Sequence, residues 1–125
     1  MKQEKTKVLV VDDAGPVVIL CVNILQSLGY AVKGANRGEA ALEVLRNEPF
    51  DLVLVDYRMP GMDGFQVFEH ARDLRPDLAF MLITAHGTAD ITKKALEMGF
   101  RSVLLKPFTS DELRVAVEKA LAGRA

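Results

Sequence analysis

Five short apolar runs recur along the chain, each closed by polar or turn residues and each followed by a stretch whose apolar positions have helical spacing. The runs Lys7–Val11, Ala31–Ala35, Leu52–Val55, Phe80–Ile83 and Ser102–Leu105 predict strands. The intervening segments Pro16–Leu28, Gly38–Asn47, Gly64–Leu74, Thr88–Met98 and Ser110–Leu121 predict helices. Four of the five strands are β-branched or Leu-rich throughout. Unbroken apolar strands imply burial on both faces, which a parallel sheet covered by helices on each side provides. The helix ends carry matching signals: Pro16 suits a first turn, Gly29 and Gly99 stand where a helix ends in a left-handed residue, and Ser110 can cap the last helix.

Five βα units in succession predict an α/β fold, a single (βα)5 doubly wound sandwich with a five-stranded parallel sheet in the order 2-1-3-4-5. Ligands in such sheets bind outside the carboxyl ends of the strands at the switch point, here between the first and third strands. No repeat, low-complexity segment or internal linker interrupts the alternation. Residues 1–125 are therefore expected to form one domain, with 1–6 and 122–125 as flexible ends.

Composition narrows the setting. At 125 residues and 50% hydrophobic content one core needs no disulfide or structural metal. Sixteen Lys and Arg against 17 Asp and Glu, a formal charge of −1, leave no electrostatic footprint for nucleic acid. Cys21 is the only cysteine, which excludes an internal disulfide framework or a cysteine-rich zinc site and suits a reducing, cytoplasmic location. The longest apolar run, Val17 to Val22, is far short of the roughly 20 residues of a membrane helix, and the charged start lacks the apolar stretch of a secretory signal.

The candidate chemistry lies at the strand ends. Asp12 and Asp13 follow the first predicted strand, Asp56 the third, Thr84 the fourth and Lys106 the fifth. The proposed strand order brings all of them to one cleft. Two carboxylates 4 Å apart repel by about 4 kcal/mol at an effective dielectric of 20, so three need positive charge among them. Lys106 supplies one unit, and a divalent cation would supply two. Oxygen ligands with room for several waters favour Mg²⁺ over Zn²⁺. A carboxylate beside such a cation, an ammonium and a hydroxyl suits phosphoryl transfer, with Asp56 as nucleophile. Taken singly, Asp residues at strand ends also serve as helix caps and turn formers.

Jointly, the segments VLVVDD (Val8 to Asp13), DYRMPGMDG (Asp56 to Gly64), TAHG (Thr84 to Gly87) and LLKPF (Leu104 to Phe108) resemble those of the receiver domain of two-component response regulators, chemotaxis-regulator-like, from end to end. The resemblance implies a flavodoxin-like fold and a signalling domain that promotes its own phosphorylation and dephosphorylation. It implies that Asp56 accepts a phosphoryl group from a histidine kinase or histidine phosphotransfer protein. Mg²⁺ would be held by Asp13, Asp56 and the backbone carbonyl of Arg58, with Asp12 acting through water. Lys106 would pair with the phosphoryl oxygens across a bond to Pro107 that is usually cis, and Thr84 would move to the phosphoryl group and report it.

Several positions depart from that pattern or add to it. Val103 stands where the family usually has an aromatic switch partner for the threonine, and Phe100 is wrongly spaced to replace it. The readout is therefore expected to rely on Thr84 and the loop after the fourth strand, with a weaker signal on the face of the fourth helix and fifth strand. Arg58 and His86, two residues after Asp56 and Thr84, occupy tuning positions, and neither is a carboxylate or amide suited to orient water, so a persistent acyl phosphate is expected. His70 reads as a surface residue. On the first helix Val17, Leu20, Cys21, Ile24, Leu25 and Leu28 form a stripe read as inward, which leaves Val18, Ile19 and Val22 as an outward apolar patch for a partner or for a homodimer. Cys21 then reads as a small buried hydrophobe. Gly61 and Gly64 are read as supplying permissive dihedrals beside Asp56. Two rivals remain, an unphosphorylated interaction module of the same fold and a Mg²⁺-dependent phosphatase using Asp56. The short loops leave the second without a substrate lid.

Overall fold

A computed structural model describes residues 4–122. Five strands alternate with five helices: β1 (Lys7–Val11), α1 (Gly15–Ser27), β2 (Ala31–Ala35), α2 (Gly38–Asn47), β3 (Leu52–Asp56), α3 (Gly64–Leu74), β4 (Ala79–Thr84), α4 (Ala89–Met98), β5 (Ser102–Leu105) and α5 (Ser110–Ala122). All pairings are parallel, and the order is β2-β1-β3-β4-β5, as the alternation predicts. Residues 1–3 and 123–125 of the expected flexible ends lie outside the described residues. Within them, the Thr6 carbonyl accepts from the Ala31 amide at 2.9 Å and Ala122 closes α5, so both positions belong to the fold.

The three central strands are buried along nearly their whole length, which explains their unbroken apolar sequence. Their alternate residues feed two cores. Val8, Val10, Leu52, Leu54, Met81 and Ile83 pack with Cys21 and Leu25 of α1 and Leu113 and Val117 of α5. Leu9, Val11, Val53, Val55, Phe80 and Leu82 pack with α2, α3 and α4. On that second side Phe68 stacks on Phe100 with centroids 4.6 Å apart and meets Phe80 edge-on at 4.9 Å, which is a favoured aromatic geometry. The edge strand β2 is only partly buried. Gly29 and Gly99 both have positive φ after their helices, as a left-handed helix end requires.

Helix α1 sits differently from the sequence expectation. Val18, Cys21, Val22 and Leu25 make an i, i+3, i+4, i+7 stripe of their own, and it is this stripe that faces the sheet. Cys21 and Leu25 are fully buried, while Val18 and Val22 are half-buried over Gly34 of β2. A Cβ at Gly34 would stand 2.5 Å from Val18 Cγ1, so the bare glycine lets the helix settle onto the sheet edge. Leu20 and Leu28, read as inward, are exposed at 47% and 43%, and only Ile19 of the outward trio is well exposed, at 63%. A helix apolar on two stripes does not tell from its own residues which one the sheet will cover.

Candidate functional site: an acidic pocket at the sheet switch point

Asp12 leaves β1 where β2 and β3 diverge on either side of it, and it is completely buried. Both of its carboxylate oxygens are committed. Oδ1 accepts from the Ala14 amide at 2.9 Å, and Oδ2 accepts from Lys106 Nζ at 2.7 Å. Asp56 ends β3, one residue deeper in its strand than the sequence pattern suggests, and is buried. Its Oδ2 lies 3.5 Å from Lys106 Nζ. Asp13 is exposed, and its carboxylate has no hydrogen bond or ion pair among the described residues. One oxygen from each of Asp12, Asp13 and Asp56 falls within 4.8 Å of the others.

The electrostatics follow from that crowding. Burial is the main cause that pushes the Asp56 carboxyl up to about 6, with the Asp12 charge adding to it, Lys106 opposing and Asp13 adding a little more. Burial alone would lower the Lys106 ammonium. Its hydrogen bond to Asp12 and the charges of Asp12 and Asp56 outweigh that and hold it above its usual value. One ammonium thus balances one of three carboxylates well and a second poorly. The donor set is all oxygen and keeps free oxygens on Asp13 and Asp56, which fits a hard divalent cation.

Thr84 ends β4 and is fully buried. Its Oγ1 accepts from the His86 amide at 2.9 Å, and its own hydroxyl proton has no acceptor among the described residues. The Lys106 amide donates to the Thr84 carbonyl at 2.9 Å, which fixes the lysine beside Asp12, and the Lys106–Pro107 peptide bond is cis. Arg58, His86 and His70 are all exposed. Val103 is half-buried against the aromatic side of the sheet, while Phe100 lies in that core at 3% exposure and places no ring at the surface.

The two glycines after Asp56 act for different reasons. Gly61 has φ +80°, the left-handed turn that the sequence leads one to expect. Gly64 does not. A Cβ there would stand 2.7 Å from the Asp56 carbonyl oxygen and 3.1 Å from Tyr57 Cα, so the glycine is needed for close backbone approach. Its amide donates to the Tyr57 carbonyl at 2.9 Å. Asp63 and Gln66 form a reciprocal capping box at the start of α3, and the loop from Asp56 is closed at both ends. The Cys21 thiol lies fully buried on the α1 and α5 side of the sheet, and burial first, then the Asp12 charge, pushes its pKa up to about 11.

Sequence reasoning missed two contacts. The Ala14 amide that holds Asp12 belongs to an Asx-type turn and leaves no side-chain signal. Gly87 packs directly against Leu105, and its only trace in the sequence is a glycine beside a leucine-rich strand it does not adjoin.

The fold and pocket together define an open doubly wound α/β protein whose switch-point cleft is built around carboxylates, a lysine and a hydroxyl. A profile of the response regulator receiver domain matches residues 8–118. The transcriptional regulatory protein ZraR of Escherichia coli (strain K12) is 37% identical over 122 residues, which are 98% of this chain and 28% of ZraR. The chain therefore spans less than a third of that relative. Sporulation initiation phosphotransferase F of Bacillus subtilis (strain 168) is 35% identical over 115 residues, 92% of this chain and 93% of the relative. The crystal structure of chemotaxis protein CheY4 of Vibrio cholerae at low pH superposes with a TM-score of 0.89 at 27% identity, covering 94% of this chain and all of that one. The chain belongs to the response regulator receiver domain family, the signalling domain of two-component systems. No helix among the described residues is long and apolar enough to cross a membrane.

Proposed function

We propose that Asp56 is the phosphoacceptor, taking a phosphoryl group from a phosphohistidine of a histidine kinase or phosphotransfer protein in the cytoplasm. The observation that carries the reading is the division of labour among the carboxylates: Asp12 is saturated by Lys106 and the Ala14 amide, whereas Asp56 and Asp13 keep free oxygens. Asp56 Oδ attacks phosphorus, a P–O bond forms, and the donor P–N bond breaks with its electron pair returning to the imidazole, which takes its proton from solvent. Asp13, Asp56 and the Arg58 carbonyl would hold Mg²⁺, with Asp12 contributing through water. When bound, that ion neutralises charge on the transferred oxygens. Lys106, already 3.5 Å from Asp56, pairs with a phosphoryl oxygen, and Thr84 donates its free proton to another.

The donor has to bring its histidine to the rim formed by Asp13, Asp56 and Lys106. A mainly apolar groove lined by Val17, Leu20, Ala85, Pro107 and Phe108 reaches Lys106 on that rim. We assign this groove to the docked donor domain; exposed Ile19 lies instead with Val18 on a separate apolar groove over Gly34 and Ala40, and the sheet half covers Val18 and Val22. Arg58 and His86 are exposed and neither is a carboxylate or amide suited to orient a hydrolytic water, which supports a persistent acyl phosphate.

The test is intact-mass analysis after incubation with acetyl phosphate, with and without Mg²⁺, for the wild type and Asp56→Asn. A Mg²⁺-dependent phosphoryl adduct absent from the variant is expected. An adduct that survives Asp56→Asn would reassign the acceptor, and no adduct under any donor would favour an unphosphorylated interaction module.

A further inference from the structure

We infer that the open edge of β2 pairs antiparallel with β2 of a second copy of this chain, joining the two sheets across a two-fold axis. This pairing is independent of the chemistry at Asp56. Strand β2 ends the sheet order, and its inner side is committed to β1: the Ala31 amide donates to the Thr6 carbonyl at 2.9 Å, and the Ala35 carbonyl accepts from the Asp12 amide at 3.1 Å. In a parallel ladder the bonds to one neighbour pass through alternate residues. Ala31, Lys33 and Ala35 therefore serve β1, while Val32 and Gly34 turn their amides and carbonyls to the free side. Gly34 is exposed, and a residue without a side chain exposes only backbone. A row of unpaired backbone groups along a sheet edge is a template for another strand.

The charges around this edge suit a second copy. Edge strands are commonly guarded by lysine, but the one charged residue of β2, Lys33, is bound to Glu48 Oε1 at 2.5 Å. With the axis at Gly34, the two glycines exchange both of their hydrogen bonds, Val32 stands opposite Asn36 of the second copy and Lys33 stands opposite its Ala35. No like charges then face each other across the new ladder. The groove beside the edge is apolar, with Val18 and Ile19 on one wall and Ala40 and Val44 on the other. Helix α1 carries no charged residue from Gly15 to Ser27, and Ile19 is 63% exposed. Glycine at the axis leaves the α1 face of the paired strands clear, so Val18 and Ile19 of both copies can close over it. An uncharged apolar wall meets its own copy, as an isologous contact requires.

The test is sedimentation velocity on the full chain from micromolar to millimolar protein, with amide hydrogen exchange read by NMR over the same series. The apparent mass is expected to double as concentration rises. The Val32 and Gly34 amides, open in the monomer, should gain protection in step with the mass, whereas those of Ala31 and Lys33 should be protected throughout. Ile19→Glu, which places a charge on the exposed wall, is expected to hold the protein at the monomer mass and leave the Val32 and Gly34 amides exchanging freely, with its Tm and its labelling by acetyl phosphate unchanged. A chain that stays monomeric at every concentration would overturn the inference and leave the edge to a strand of another protein. A dimer in which the Val32 and Gly34 amides still exchange freely, or one that survives Ile19→Glu, would overturn it in favour of a different face. None of these results bears on the phosphoacceptor reading, which the mass adduct at Asp56 decides.

Discussion

Replacing Asp56 by Asn should make the metal-free protein more stable at neutral pH. The wild-type carboxyl is held near 6 instead of its usual 3.8, chiefly by burial and then by the Asp12 charge. Each tenfold change in proton affinity is worth about 1.4 kcal/mol, so ionising this group in the folded state costs about 3 kcal/mol at neutral pH. Asn keeps the volume and removes the charge. It also gives up the 3.5 Å contact with Lys106, which is the weaker of that ammonium's two partners, so the net gain expected is about 1–3 kcal/mol, a rise of roughly 4–11 °C in Tm for a domain of this size. The sign with pH is set by a folded value above the unfolded one. The penalty is fully present above about pH 6, shrinks as the folded carboxyl takes up its proton, and is gone below the unfolded value. Urea unfolding followed by far-UV circular dichroism in EDTA, at pH 7.5 and pH 4.5, reads the difference. Millimolar Mg²⁺ should narrow or reverse the order, because a ligand that binds only the folded wild type adds stability by mass action. A variant no more stable than wild type at pH 7.5, or equally stabilised at both pH values, would refute the reasoning.

Three further outcomes are expected. Lys106→Met leaves the fully buried Asp12 without its 2.7 Å partner and should cost about 3 kcal/mol, read by the same unfolding assay, besides abolishing a stable adduct with acetyl phosphate. Gly64→Ala puts a methyl against the Asp56 carbonyl oxygen and should cost about 1–3 kcal/mol while slowing phosphorylation; an unchanged rate in the folded variant would show that the close approach does not position Asp56. The Cys21 thiol, with its pKa pushed up to about 11, should resist iodoacetamide at pH 8 until the protein unfolds, and its contribution to stability should fall as pH rises from the unfolded thiol's value of about 8.5 toward 11. Mass spectrometry along a urea series checks the protection, and prompt alkylation of the native protein would contradict it.

Much of the fold and site was legible because β1, β3 and β4 are buried on both faces. Such strands cannot hide a polar residue, so Asp12, Asp56 and Thr84 stand out at their ends, and the sheet order comes from the βα alternation. The illegible part was relational. The orientation of α1 depends on Gly34, a residue of another element whose missing side chain lets Val18 and Val22 sink onto β2. The role of Gly64 is a distance to the Asp56 backbone, and no dihedral signature betrays it. Leu105 reads as one more strand leucine until Gly87 is found against it from 18 positions away. Periodicity reports which side chains need cover, and only the assembled fold says what provides it.

The two helices flanking β5 are held unequally. Helix α5 buries Leu113, Ala116, Val117 and Ala120, and the Ser102 hydroxyl ties its Ala116 carbonyl to the strand at 3.0 Å. Helix α4 buries Ala95 alone. Local opening draws on the segments with fewest buried contacts, so α4 is the flank that yields first and α5 the fixed wall against which its movement is measured. A protein that grips this side of the molecule meets one rigid jaw and one compliant jaw, with Leu105 between them.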